Sequence, residues 1–172
     1  AMAQSGAAAV ELLNQLRTDP AAASVNLRAL AGRSTREAID AVVDALVPEN
    51  GDADRIRAAL NEALVVCLEG LTTFDFSNIT DDMLAQLMVE YVAFCVFEDI
   101  MLSSRNAFTK RRDAEQARLR ENHLLSLVKA VVDKHMQPLL TTSTAAMSRT
   151  QLEAVHINAI REVWREWEAF EE

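Results

Sequence analysis

Apolar residues recur every three or four positions through most of this chain, and one stretch departs from that pattern by being apolar on nearly every side. It opens at Thr80 with a hydroxyl followed by Asp81 and Asp82, a combination that suits the positive end of a helix. The run MLAQLMVEYVAFCVFEDIML follows. A helix apolar almost all round is either a membrane span or the centre of a bundle. The longest unbroken apolar run, Tyr91 to Phe97, falls well short of the roughly 18 residues that a span needs. The pattern therefore predicts a buried central helix over 80–104. Gln86 and Glu90, four apart, form a stripe that reaches solvent or a polar neighbour. Phe94 and Cys95, with no polar residue close by, are expected to be buried.

Around it the periodicity predicts amphipathic helices. Residues 7–17 place Val10, Leu13 and Leu16 on one face, and Thr18-Asp19-Pro20 reads as a cap with proline in a first helical turn. A helix over 21–31 buries Val25, Leu27 and Leu30 and stops at Gly32. Ser34-Thr35-Arg36-Glu37 is a capping box opening a helix with Ile39, Val42, Val43 and Leu46 inward. After a turn at Pro48–Asp52, the positions Ile56, Leu60, Ala63, Leu64, Cys67, Leu68 and Leu71 form the next stripe. TTFDFSNI links it to the central helix, with Phe74 and Phe76 as buried anchors. A break near Ser103–Asn106 precedes a helix over 112–137, with Ala117, Leu124, Leu125, Val128, Val131, Val132 and Met136 as its stripe, that Pro138 ends. Ser148 and Thr150 offer capping boxes for a last helix carrying Leu152, Val155, Ala159, Ile160, Val163, Trp167 and Phe170 inward. The expectation is all-α: a single-domain bundle of about seven helices around the helix at 80–104. Residues 1–4, where Ala1 precedes Met2, read as an appended remnant, and 5–172 as the domain.

Composition agrees with an all-helical chain. Four glycines and three prolines among 172 residues are too few for a β-rich or loop-rich fold. A chain of this length buries roughly 70% of its unfolded surface without covalent staples. The net charge of −9 argues against nucleic acid as a general partner. Residues 1–10 lack the basic start and apolar core of a signal peptide, so a cytoplasmic protein without a membrane segment is expected. Cys67 and Cys95 both sit in apolar runs and read as buried reduced thiols.

Candidate chemistry is sparse. Glu153 and His156 lie three apart on one helix face, the spacing that di-iron carboxylate bundles use. Those bundles need a second such pair, and neither His123 nor His135 has a glutamate three residues before it. His156 also falls in an apolar stripe, which favours a hydrogen-bonded core or interface histidine. Arg105, Lys110, Arg111 and Arg112, with Arg118 and Arg120 beyond, form the basic cluster. Such a cluster is commonly a solvated face, and its functional alternative is a docking patch for an acidic partner or a nucleic-acid strand. A single aromatic residue, Phe108, interleaves these basic positions, too few for a stacking platform, which weakens the nucleic-acid option. Trp164, at the flank of the last stripe, joins that set as a candidate partner contact, because tryptophan is enriched in binding hot spots. The sequence carries no Gly-rich phosphate loop and points to no catalytic residue, cofactor or metal.

One further pattern lies in NLRALAGRSTREAIDAVVDALVPENGDADRIRAALNEALV, residues 26–65. Its elements are Leu27 to Gly32 before a helix, Leu46-Val47-Pro48 and Gly51 at a turn, then Arg57, Ala58 and Glu62-Ala63-Leu64. With the aspartate-capped ITDDMLAQLMVEYVAFCVFEDIM, this resembles QatB, the helical B component of the bacterial Qat anti-phage defence system. The resemblance implies a non-enzymatic partner working beside an ATPase, a QueC-like enzyme of the deazaguanine type and a TatD-like nuclease. It implies binding to the QueC-like enzyme. Family members carry a Gly/Ser/Pro-rich N-terminal region, a conceivable substrate tail for that enzyme; this sequence starts directly at helix, as a trimmed chain would. No site motif carries over residue by residue. Two other readings stand beside it: a stand-alone helical homodimer of adaptor, immunity or antitoxin type, and a metal-binding helical-bundle enzyme using Glu153 and His156.

Overall fold

The computed structural model describes residues 2–19, 29–30, 32–47, 53–75, 79–103, 114–140 and 149–171. Among them are six helices and no strands: α1 (Met2–Thr18), α2 (Thr35–Leu46), α3 (Ala53–Cys67), α4 (Asp81–Ser103), α5 (Ala114–Leu140) and α6 (Arg149–Glu171). The chain is all-α. The helix predicted over 21–31 lies largely outside the described residues, and the chain at Ala29 and Leu30 is a turn. That accounts for six helices where about seven were expected. Residues 2–4, read from sequence as an appended remnant, belong to α1.

The central helix is where the pattern placed it. Thr80 caps α4, its hydroxyl accepting from the Met83 amide at 3.1 Å, and its carbonyl accepting from Leu84. Asp81 and Asp82 occupy the first turn, where carboxylates oppose the positive end of the helix. Buried residues then run round most of the circumference, from Met83 and Leu84 through Tyr91, Val92 and Ala93 to Ile100, leaving one stripe at Gln86 and Glu90. Such a helix needs neighbours on most sides, and α1, α3, α5 and α6 all pack against it. The approach of α1 is close at Gly6. A Cβ on Gly6 would lie 2.7 Å from Cε1 of Tyr91, so only glycine lets the tyrosine ring lie against the α1 backbone.

The outer helices bury the stripes the periodicity assigned: Val10, Leu13 and Leu16 on α1, Ile56, Leu60, Ala63 and Leu64 on α3, Leu124, Val128, Val132 and Met136 on α5. On α6 the buried stripe is Leu152, Val155, Ala159, Val163 and Trp167. Ser34 caps α2, accepting from the Glu37 amide at 3.2 Å. Glu37 departs from a full capping box by pairing with Arg33 at 3.5 Å. Residues 32–35 and 71–74 are tied side by side: Gly32 donates to Phe74 at 2.8 Å, Phe74 to Arg33 at 2.8 Å, and Thr35 to Thr72 at 3.1 Å. This clamp joins the entry of α2 to the exit of α3, and Phe74 beneath it is buried as expected. Phe76 lies outside the described residues.

Four local expectations differ from the structure. Pro138 does not end α5, which continues to Leu140. A proline in a helix's last turn removes one hydrogen bond near an end already short of partners, so the helix tolerates it there. Leu71 is 41% exposed and not part of the inward stripe, because α3 ends at Cys67 and Gly70, at φ +85°, turns the chain out of helical register. Phe94 is only half-buried, with the Lys129 ammonium 5.6 Å from its ring centre. Cys67 is likewise half-buried, whereas Cys95 is buried.

Candidate functional site

Two regions gather polar groups in ways the local pattern does not explain. The first is a junction of three helices. Arg55 lies in the first turn of α3, Glu98 and Asp99 near the end of α4, and His156 a third of the way along α6. Helices α3 and α4 run antiparallel, which brings the start of one to the end of the other. There the Arg55 guanidinium donates to Asp99 Oδ1 and lies 3.6 Å from Glu98 Oε2. The other oxygen of Asp99 meets His156 Nε2 at 2.7 Å. The side chain of His156 is 18% exposed and that of Asp99 30%, so neither is fully hydrated. Burial alone would raise the Asp99 carboxyl, but the hydrogen bonds and charges of His156 and Arg55 outweigh it and hold the group below the usual carboxylate range.

Tyr91 and Cys95 form the inner wall of the same junction. Burial pushes the Cys95 thiol up to about 12, against the lowering effect of a hydrogen bond with Tyr91. Burial raises the Tyr91 phenol as well. At neutral pH both stay protonated, so the junction holds no thiolate nucleophile. His156 and Asp99 have the shape of an acid–base pair, but the carboxylate divides its two oxygens between the histidine and an arginine. What the arrangement achieves is the cross-linking of α3, α4 and α6 by charge-assisted hydrogen bonds. The expectation of a hydrogen-bonded histidine at 156 is met. Its sequence neighbour Glu153 is exposed. Among the described residues, no three His, Cys, Asp or Glu side chains gather as a metal would require.

Similar bridges stitch the other seam. Lys129 of α5 pairs with Glu90 of α4 at 3.0 Å, the glutamate side chain being only 13% exposed. The polar stripe on α4 thus divides, with Gln86 in solvent and Glu90 turned to a cationic neighbour. Glu162 of α6 takes Lys134 at 2.6 Å and His135 at 2.5 Å. Those two donors hold its carboxyl below the ordinary range.

The second region is a groove between α2 and α3. Its upper part, of about 580 Å³, has Thr35, Ile39 and Leu68 in its floor and Val65 and Leu71 on its walls. Its lower part, of about 520 Å³, continues past Asp40 and Asn61 to Asp54 and Arg57. Val65 is 46% exposed, so the walls offer apolar surface to solvent.

The sequence-predicted contact residues fare differently. Arg105, Lys110, Arg111 and Arg112 lie outside the described residues. Trp164 is half-buried and packs against the core. Arg118 is exposed, whereas Arg120 folds over Trp167, with its guanidinium 5.5 Å from the ring centre. Sequence reasoning anticipated a hydrogen-bonded His156 but neither its partner Asp99 nor the Arg55 that completes the junction. On α4 the local trace was Glu98-Asp99 closing an apolar run, with nothing to say that residues 44 and 57 positions away would meet it.

No curated protein and no solved structure matches the chain. A family model does: the one described as Qat anti-phage system associated protein QatB matches residues 1–167. The chain belongs to this family, as the resemblance in its sequence implied, and is a component associated with an anti-phage system. Among the described residues no helix is long and apolar enough to cross a membrane.

Proposed function

We propose, from that membership, that the chain is a non-enzymatic accessory component of its defence system and acts by binding a QueC-like enzyme of the same system. The family match over residues 1–167 carries this reading. Two features of the bundle support it. The polar groups best suited to chemistry, Asp99, His156 and Arg55, are matched against one another across helix seams. The surface, by contrast, keeps an open apolar-walled groove of the kind proteins use for one another. Two free cysteines suit a reducing compartment, and the cytoplasm is the proposed place of action.

Co-expression with the other proteins of the system, followed by size-exclusion chromatography and mass spectrometry, tests the proposal. A stoichiometric complex with the QueC-like enzyme is expected. Absence of any such complex would overturn the reading. Intact-mass measurement of the chain from the same co-expression separates an adaptor, whose mass is unchanged, from a substrate, which gains or loses a group.

A further inference from the structure

The groove between α2 and α3 differs from the rest of the surface in two respects that point to the same occupant. The first is apolar wall area. Val65 and Leu71 are 46% and 41% exposed above a floor of buried Ile39 and Leu68. Leu71 stands there because Gly70 turns the chain at φ +85°, and Thr35 fixes it by donating its hydroxyl to the Leu71 carbonyl at 2.9 Å. The wall is therefore held in place before anything binds, which lowers the ordering cost of association.

The second is charge. Asp44 and Arg57 neutralise each other at 2.7 Å. Asp40, Asp54 and Glu69 remain, lining the groove without an ion-pair partner among the described residues, against the single guanidinium of Arg36. Elsewhere the helix seams match their carboxylates with cations, as at Asp99, Glu90 and Glu162. Among the described residues, the groove combines exposed aliphatic walls with unmatched carboxylates along its length. At a rise of 1.5 Å per residue, α3 is about 22 Å long, enough to accommodate roughly four turns of another helix.

We propose that this groove is the docking site for a basic amphipathic helix of a protein partner, its aliphatic face against Val65, Leu71 and Ile39 and its lysines or arginines against Asp40, Asp54 and Glu69. This deepens the proposed function by assigning its contact surface, and rests on it only for the choice of partner. The net charge of −9 draws a cationic segment toward the chain as a whole, and the groove's carboxylates orient it.

A photo-crosslinking residue at position 65, in the full chain co-expressed with the complete defence system, tests this. The expected result is a crosslink to a partner segment that is both helical in pattern and lysine- or arginine-rich. In the purified complex, the double variant Asp40→Lys/Glu69→Lys is expected to weaken binding about tenfold or more, and wild-type binding to weaken as salt rises. The variant Glu121→Lys, distant on α5, serves as the control and leaves binding unchanged. A crosslink to an acidic or uncharged segment, or to a second copy of this chain, overturns the assignment. A complex that forms normally while position 65 crosslinks nothing also overturns it and leaves the accessory function standing. Failure to form any complex removes the function reading; a basic helix crosslinked from a protein other than the QueC-like enzyme keeps the groove and removes that enzyme as its partner.

Discussion

The junction at Asp99 and the groove at Asp40 are built from the same kinds of side chain and behave oppositely. Both set carboxylates near guanidinium groups at a seam between helices. At the junction, Arg55 and His156 are drawn inward and both hydrogen-bond to Asp99. At the groove, Asp40, Asp54 and Glu69 stand in solvent beside exposed Val65 and Leu71. The difference lies in what covers them. The junction has a third helix, α6, against α4 beside α3, and desolvation makes an unpaired group costly there, so pairing is favoured. Over α2 and α3 no third described helix closes the seam, and hydration makes pairing optional. Charge that is matched holds the fold, and charge left unmatched beside apolar surface is free to meet a partner.

This contrast can be broken by substitution. The largest effect is expected at the junction's inner wall, where Tyr91 is 2% exposed against Gly6. Tyr91→Ala removes a buried ring and should cost about 3–5 kcal/mol in chemical denaturation. A loss below about 1 kcal/mol would mean that α1 does not pack there. Next comes Asp99→Ala, which leaves His156 half-buried without its carboxylate and Arg55 with Glu98 but not Asp99. It should cost about 2–3 kcal/mol, reduced from the fully buried case by the partial exposure of all three groups. In a double-mutant cycle with His156→Ala the two losses should not add, and strict additivity would argue against the bridge.

A smaller effect follows from pH. The folded protein holds Asp99 below its ordinary value of 3.8, so on acidification the unfolded chain takes up the proton first. The bridge's contribution is therefore fully present above about pH 5 and is lost as pH falls through the lower folded value. Denaturation midpoints measured between pH 6 and pH 3 should fall more steeply for the wild type than for Asp99→Asn. Parallel curves would place Asp99 in solvent. Smallest of all is the groove: Val65→Ser and Asp40→Asn should each change stability by less than about 0.5 kcal/mol, as exposed positions do. A melting temperature that drops with either would show the groove to be structural.

At the α4–α5 seam Glu90 has the polar neighbour that its stripe allowed for, in Lys129. On a stripe that reaches solvent its removal would be nearly free, but its side chain is 13% exposed and paired with Lys129. Glu90→Ala should cost about 1 kcal/mol, between the two regions compared, with a matching loss for Lys129→Ala.

The all-helical class, the extent of the central helix and the buried stripes of α1, α3, α5 and α6 were legible in the amino-acid order. Each depends on residues within one or two turns of each other, and helical geometry converts such spacing directly into a shared face. The caps at Ser34 and Thr80 were legible for the same reason, since a cap bonds an amide three residues on. The family too was legible, in the helix-and-turn pattern of residues 26–65. What the tertiary structure decided is where polar residues end up. Asp99 meets Arg55 and His156 across 44 and 57 residues, and Glu90 becomes largely covered because α5 lays Lys129 beside it. Leu71 leaves the core because Gly70 swings the chain aside. The physical reason is that hydrophobic periodicity states which face of a helix turns inward, but not which helix it will meet, and the fate of a charge depends on that neighbour.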